Sequence, residues 1–375
     1  MFYDGYVSKD FKRILLVCFG GIGDVILFFP TIKILKEINA NSEITLLVEP
    51  RCKSVAEKNT NITNVITFDL KNKPSSSDYL ALIKKLRNQN FDLAISMGRS
   101  AMVPLLLFLS GAKYRVGYST NKLKFLYSKT VELDQNQYAG KMYFDLLKGI
   151  GVNTDILNPI PEIKIPENEI KWSENWFKEK LLDASELKKV IIHPGASNIS
   201  KQKNIIKTWE PEKWSNLINN LLENNIKVIL AGGPDDKEDI EFISNNITNK
   251  TNFINAYGET KNLDQLAALI KKVDLLICID SAPLNLCVGV GTECVAIFGP
   301  TNENKILPKN DKFTPVRINL DCTPCLWDKR QTTCQELTCL KKLEVNNILS
   351  EIEKKLKINL NTNNTDVNFK SKVEL

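Results

Sequence analysis

The residues with chemistry to offer stand in four stretches. In "GGIGD", residues 20–24, an apolar run ends in three glycines and a carboxylate before a second apolar run begins. A strand that feeds a helix leaves free backbone N–H groups and the positive end of the helix dipole at one point, which suits an anion. Gly21 and Gly23 would let a ligand approach the backbone closely. The dinucleotide fingerprint G-x-G-x-x-G is incomplete, because Ile26 stands where its last glycine belongs, and nicotinamide binding is disfavoured. Asp24 is open to two readings: a helix cap, or a general base at the carboxyl edge of a sheet, where α/β proteins place their ligands.

The second stretch, "LLICIDSAPLNLCVGVGTECVAIFGPTNE", holds two loops. Asp280 or Ser281 can cap a helix whose early Pro283 is pre-set for the first turn, leaving N–H groups aimed at a diphosphate. A plain capped helix has the same sequence signature. The nearby "FGPTNE" loop can bring Thr301 to the same crevice. The third stretch interleaves Arg99, Lys113, Arg115, Lys122 and Lys124 with Tyr114, Tyr118 and Phe125, either as a solvated basic face or as a surface for phosphorylated lipid and anionic membrane. The fourth is Cys322, Cys325, Cys334 and Cys339, which can close a tetrahedral site for structural zinc or iron or remain free thiols, with no part in catalysis. The only histidine, His193, ends an apolar strand, where a structural role and a ligand contact are both open.

These residues need elements to position them. With 375 residues, 43% of them hydrophobic, two domains are the natural expectation. From Arg13 the chain reads as strand (14–18), helix (24–38) and strand (43–48), a βαβ unit. The second half repeats this with "VIIHPGAS", "PEKWSNLINNLLENN", "KVILAGGPDD", "LDQLAALIKKV" and "CVAIFGPT". Nearly all-apolar strands alternating with helices imply parallel sheets covered on both faces, hence two doubly wound α/β domains. Prolines in residues 158–168 mark a linker. We expect one domain over 1–160, a second over 161–358, and a loose Asn-rich tail over 359–375. "PDDKED" reads as the start of a solvated helix, not as a "DxD" metal holder. Fifty Lys and Arg against 44 Asp and Glu give a net charge of +6, too small and dispersed for nucleic acid to be a partner. "MVPLLLFLSGA" is too short to span a bilayer, and no secretory pattern opens the sequence, so a cytoplasmic protein is expected.

The ordered set "GGIGDVILFFPTIKILK", "HPGAS", "KTWEPEKWSNLI", "ILAGGPDD" and "DSAPLNLCVGVGTECVAIFGPT" resembles glycosyltransferase family nine, the ADP-heptose lipopolysaccharide heptosyltransferases, over most of residues 12–345. The resemblance implies a GT-B fold: two Rossmann-like domains facing a central cleft, the N-terminal one for acceptor and the C-terminal one for nucleotide sugar. Asp24 matches the family's catalytic aspartate, and Lys207 and Trp209 match its "K-x-W-P" segment. Asp280 and Ser281 match "D-[ST]-G-P-x-H", Gly299 and Thr301 match "F-G-P-T", and Ser197 belongs to "HPGAS". Arg115 lies in an "R-x-G" element resembling the acceptor region. Ala282 replaces the motif's glycine, and Asn285 stands in place of its histidine, able to donate a hydrogen bond but not to carry charge. The implied reaction is an inverting, metal-independent heptose transfer from ADP-heptose to a lipid A-linked core. Protein O-heptosylation, another nucleotide sugar, or nucleotide-sugar binding without transfer are the alternatives. Peripheral contact with the anionic inner membrane follows from such an acceptor.

Overall fold

The computed structural model describes residues 10–182 and 186–361. The chain divides into two compact units, residues 1–164 and 165–375, with the boundary inside the proline-rich stretch. Residues 362–375, most of the expected tail, lie outside the described part, and the tail's Leu360 is packed in the second core.

The first unit holds β1 (Arg13–Cys18), β2 (Glu43–Val48), β3 (Asn64–Thr67), β4 (Leu93–Ser96), β5 (Tyr114–Tyr118) and β6 (Lys129–Val131) in the order β3-β2-β1-β4-β5-β6. The second holds β7 (Lys189–His193), β8 (Lys227–Leu230), β9 (Phe253–Asn255), β10 (Leu275–Ile279), β11 (Cys294–Ile297) and β12 (Phe313–Val316) in the order β12-β11-β10-β7-β8-β9. Read from its other edge, the second order repeats the first, and every pairing in both sheets is parallel. In such a sheet the strand order reverses beside the first strand, between β1 and β4 and again between β7 and β10, and ligands bind outside the carboxyl ends at that point.

The apolar runs explain the layers. Ile14 to Cys18 and Leu275 to Ile279 are fully buried, as strands covered on both faces must be. The Ile22–Ile38 helix is buried on all faces from Val25 to Ile32 and turns Lys33 and Glu37 to solvent near its end, whereas the Pro211–Glu223 helix is amphipathic throughout. The latter turns Trp214, Leu217, Ile218, Leu221 and Leu222 into the second core and opens on Pro211, whose fixed φ suits a first turn.

Two local expectations are refined. The first helix begins at Ile22, so Asp24 is its third residue, and it serves the helix start from there, its carboxylate accepting the N–H of Gly21, the residue before the helix. "PDDKED" opens a helix with Pro234, Asp235, Lys237 and Glu238 exposed, as expected, but Asp236 within it is 3% exposed, because its carboxylate folds back to accept from the Gly233 N–H at 2.8 Å.

Candidate active site

In the first unit, the turn after β1 carries Asp24 and explains its glycines. Gly21 precedes the helix and donates its N–H to Asp24 Oδ2 at 2.7 Å, while the Tyr143 hydroxyl donates to Oδ1 at 2.7 Å. Both carboxylate oxygens are thereby aimed. The anion-binding reading of this turn needs revision, because Asp24 itself takes the Gly21 N–H that a ligand anion would need. Gly23 lies within the helix. The glycine that the geometry does require is Gly20: a Cβ there would stand 2.5 Å from Asp24 Cβ and collide with Oδ2. Burial first, and the Asp24 charge second, hold the Tyr143 hydroxyl well above the usual tyrosine range, so it stays a donor. Burial likewise pushes the nearby Cys52 thiol up to about 11 and Cys18 well above the usual thiol range, so neither is a nucleophile at neutral pH.

The basic segment is less open than its sequence suggests. Arg115 donates its Nε to the Leu126 carbonyl at 2.7 Å and its Nη1 to the Ala112 carbonyl at 2.6 Å, with its guanidinium over the Phe108 ring, so much of its donor capacity braces β5. Lys113 pairs with Asp92 at 2.9 Å, Arg99 donates to Gln135, and Tyr118 is buried. Leu105, Phe108 and Phe125 remain exposed.

In the second unit the carboxyl ends of β7, β10, β11 and β12 bring together residues far apart in sequence. Lys207 Nζ lies 3.1 Å from Asp280 Oδ2, with only 12% and 7% of the two side chains exposed. This pair joins the loop after β7 to the loop after β10, across the point where the strand order reverses. Ser281 stands at the N-cap position of the Ala282–Val290 helix, but its hydroxyl caps nothing and has no partner. Thr301, after β11, is 1% exposed and its hydroxyl is also unpartnered. Arg317, just past β12, pairs through Nη1 with Glu303 and leaves Nε and Nη2 buried without partners. Buried polar groups normally find partners, and this set of unused hydroxyl and guanidinium donors at the carboxyl ends of the strands has the chemistry to hold an anionic ligand.

Other expected residues fall elsewhere. Trp209 is 2% exposed, donates its indole N–H to the Leu343 carbonyl at 3.1 Å and packs edge-on against Trp214, so it anchors the Lys207 loop instead of touching a ligand. Gly299 is demanded by packing, since a Cβ there would stand 2.7 Å from Leu340. Asn285 is 8% exposed and turns its amide back to the Ser281 carbonyl at 3.4 Å. Ser197 is exposed at the start of a short helix, with its hydroxyl 3.2 Å from that of Ser200. His193 is buried, with Nδ1 unpartnered; burial lowers its pKa to about 4 and keeps it neutral. The four late cysteines are close enough for their charges to interact, yet no three His, Cys, Asp or Glu side chains among the described residues are set to hold a metal ion. As placed, then, the thiols do not form a closed tetrahedral site, and the free-thiol alternative describes them.

Sequence reading missed Gly20, Tyr143 and Arg317. Only Gly20 carried a local signal, as the first of a glycine pair after a strand. Tyr143 lies 119 residues from the carboxylate it orients, and only the fold connects them.

Two doubly wound α/β units with polar loops at their carboxyl edges are the GT-B architecture of glycosyltransferases. Residues 79–336 match the profile of glycosyltransferase family 9 (heptosyltransferase), and the chain belongs to that family of transferases. It is 24% identical over 348 residues to the lipopolysaccharide core heptosyltransferase OpsX of Haemophilus influenzae, which covers 91% of this chain and 94% of that protein. In fold it is similar to a glycosyl transferase family 9 crystal structure from Veillonella parvula, with a TM-score of 0.75 at 22% identity over 93% of this chain and 98% of the other. The ADP-heptose lps heptosyltransferase II of E. coli gives a TM-score of 0.71 at 20% identity, over 92% and 98%. Among the described residues no helix is long and apolar enough to cross a membrane.

Proposed function

We propose that the protein moves a heptose from ADP-heptose to the lipid A-linked core of a lipopolysaccharide, with inversion at the anomeric carbon. The observation that carries this reading is the buried Lys207–Asp280 pair at the strand-order reversal, flanked by unpartnered donors on Ser281, Thr301 and Arg317. A donor diphosphate arriving there replaces Asp280 as the partner of the ammonium, and the hydroxyls donate to its oxygens. Residues 161–358 are then the donor unit and residues 1–160 the acceptor unit. An acceptor hydroxyl gives its proton to Asp24 as its oxygen bonds to the anomeric carbon; the bond from that carbon to the diphosphate breaks, and ADP leaves with its new charge against Lys207. No step calls on a metal, because fixed cationic and hydroxyl donors meet the leaving group. The named relatives act on lipopolysaccharide, which favours a lipid-linked acceptor. Leu105, Phe108 and Phe125, exposed in a segment that also carries Lys122 and Lys124, suit peripheral contact with an anionic membrane from the cytoplasmic side.

The test is transfer from ADP-heptose to a purified core acceptor by the wild type and by Asp24→Asn, with product configuration read by NMR and donor binding by calorimetry. The expected result is an inverted product from the wild type, with turnover falling by about 100-fold or more in the variant while donor still binds. Near-normal turnover by Asp24→Asn removes Asp24 from its role. Transfer from a different nucleotide sugar replaces the donor, and sugar found on a protein instead of a lipid core replaces the acceptor.

A further inference from the structure

The segment bearing the four cysteines is tied to both loops of the proposed donor site. The backbone N–H groups of Cys325 and Leu326 both donate to the Pro300 carbonyl at 2.9 Å, in the turn that carries Thr301. Thr333 donates its N–H and its hydroxyl to the Asn204 carbonyl at 2.9 and 2.8 Å, and its Oγ1 accepts from the Ile206 N–H at 3.1 Å, one residue before Lys207. Lys305 and Asp328 form an ion pair at 2.5 Å between the same partners.

At the crest of this strap is Trp327. Its backbone sits in the left-handed region, φ 66°, where a bulky side chain is a steric outlier. It is held there by a tight turn in which its N–H donates to the Arg330 carbonyl at 2.6 Å while the Lys329 and Arg330 N–H groups both donate to the Cys325 carbonyl at 2.9 Å. The result is a tryptophan that is 46% exposed, with its ring centroid 5.6 Å from Lys207 Nζ. A strained backbone that presents a large apolar ring to solvent is costly, and such outliers concentrate where the position is used. Here the ring lies over the one ammonium paired to Asp280.

We propose that Trp327 is a positioning residue for the nucleoside diphosphate of the donor, acting through Lys207. The assignment rests on the reading of Lys207 as the diphosphate ligand. In the free protein the ammonium is shared between Asp280 and the negative face of the indole. When the diphosphate draws Lys207 away from Asp280, the ring keeps the ammonium over the site, so the lysine reaches the ligand without losing its orientation.

The experiment measures ADP binding by calorimetry, and kcat and KM for the donor, in Trp327→Ala, Trp327→Leu and Trp327→Phe, with thermal unfolding to confirm that each variant folds. Phe keeps an aromatic face; Leu keeps apolar bulk without one. Loss of the cation–π contact weakens ADP binding by roughly 3- to 30-fold in the Ala and Leu variants, with kcat at saturating donor within about threefold of wild type and Phe restoring most of the affinity. If Leu binds ADP as well as Phe, or if all three bind like the wild type, the assignment is wrong. Lys207→Ala is run alongside. Unchanged ADP binding in that variant overturns the diphosphate reading itself, whereas lost binding there with unaffected Trp327→Ala overturns only the role of the indole. A tryptophan variant that fails to unfold cooperatively is replaced by Trp327→Phe against wild type, where an affinity loss as large as that expected for Ala also refutes the proposal.

Discussion

Gly20 and Gly21 are neighbours, yet a methyl group should be tolerated at one and not at the other. A Cβ on Gly20 would stand 2.5 Å from the Cβ and 2.6 Å from the Cγ of Asp24, while a Cβ on Gly21 would meet Arg51 Nη2 at 3.5 Å and Asp24 Oδ2 at 3.7 Å. Ordinary contact begins near 3.4 Å, so Gly20→Ala must drive the Asp24 side chain aside by about 1 Å. The 2.7 Å bonds from the Gly21 N–H and the Tyr143 hydroxyl cannot both survive such a shift. A displacement of that size costs on the order of 100-fold in turnover when the displaced group must meet a reacting proton. Gly21 lies at φ −83°, ψ −177°, extended backbone open to any residue, so Gly21→Ala should keep kcat within about threefold. The assay is donor-saturated transfer at several acceptor concentrations, with thermal unfolding and donor calorimetry on both proteins. The geometric argument fails if Gly20→Ala turns over like the wild type, or if the two alanines lose turnover equally.

The buried pair and the buried titratable groups give further expectations. Lys207→Ala strands Asp280 with 7% of its side chain exposed and should cost about 3–5 kcal/mol in denaturant unfolding. The double variant Lys207→Met/Asp280→Leu should regain most of that stability while ADP binding stays lost; recovered binding would show that the pair is structural only. His193 and Asp236 should impose opposite pH dependences on stability. Burial lowers the His193 pKa to about 4, so the unfolded chain binds more protons between pH 4 and 6.5, and stability rises with pH there by at most about 3 kcal/mol. Burial raises Asp236 to about 6, so the folded chain binds more protons between pH 3.8 and 6, and stability falls with rising pH. Relative to the wild type, His193→Gln should therefore lose stability as pH rises from 4 to 6, and Asp236→Asn should gain it. Equilibrium unfolding at pH 4.5 and 6 checks the signs, and parallel profiles for all three proteins would contradict them.

The architecture was legible because parallel strands buried on both faces must be apolar almost throughout, and runs such as "RILLVC" and "LLICI" leave no other place for themselves. The loops after those strands were legible for the same reason, since the punctuating glycines and prolines stand out against the runs. What a side chain does with its donors was not. Arg115 looks free in sequence, but two carbonyls three and eleven residues away take its Nε and Nη1 donors. Trp209 sits two residues from Lys207 and was read with it, yet the indole is committed to Leu343 and Trp214 in the core. Nothing in "CLWDKR" announces a left-handed tryptophan; the turn lies in a segment pinned to the Pro300 and Asn204 carbonyls, partners that the local sequence does not name.

The limits of motif reading are sharpest where the chain uses one device twice. "GGIGD" and "GGPDD" each follow a strand, and in each the second glycine donates its N–H to the aspartate three residues on, at 2.7 Å for Asp24 and 2.8 Å for Asp236. Locally the two carboxylates are twins, so spacing alone cannot separate a base from a brace. Their surroundings do. The second oxygen of Asp236 has no partner and is pressed against Gly195, where a Cβ would collide with it; burial then raises its pKa to about 6. The second oxygen of Asp24 has a tyrosine hydroxyl to hold it, and the residue keeps partial exposure. A carboxylate that must take a proton from an incoming hydroxyl needs a fixed direction and an open side, and only Asp24 has both. Tyr143, supplied by a helix more than a hundred residues downstream, turns a common helix-opening motif into a candidate catalytic centre.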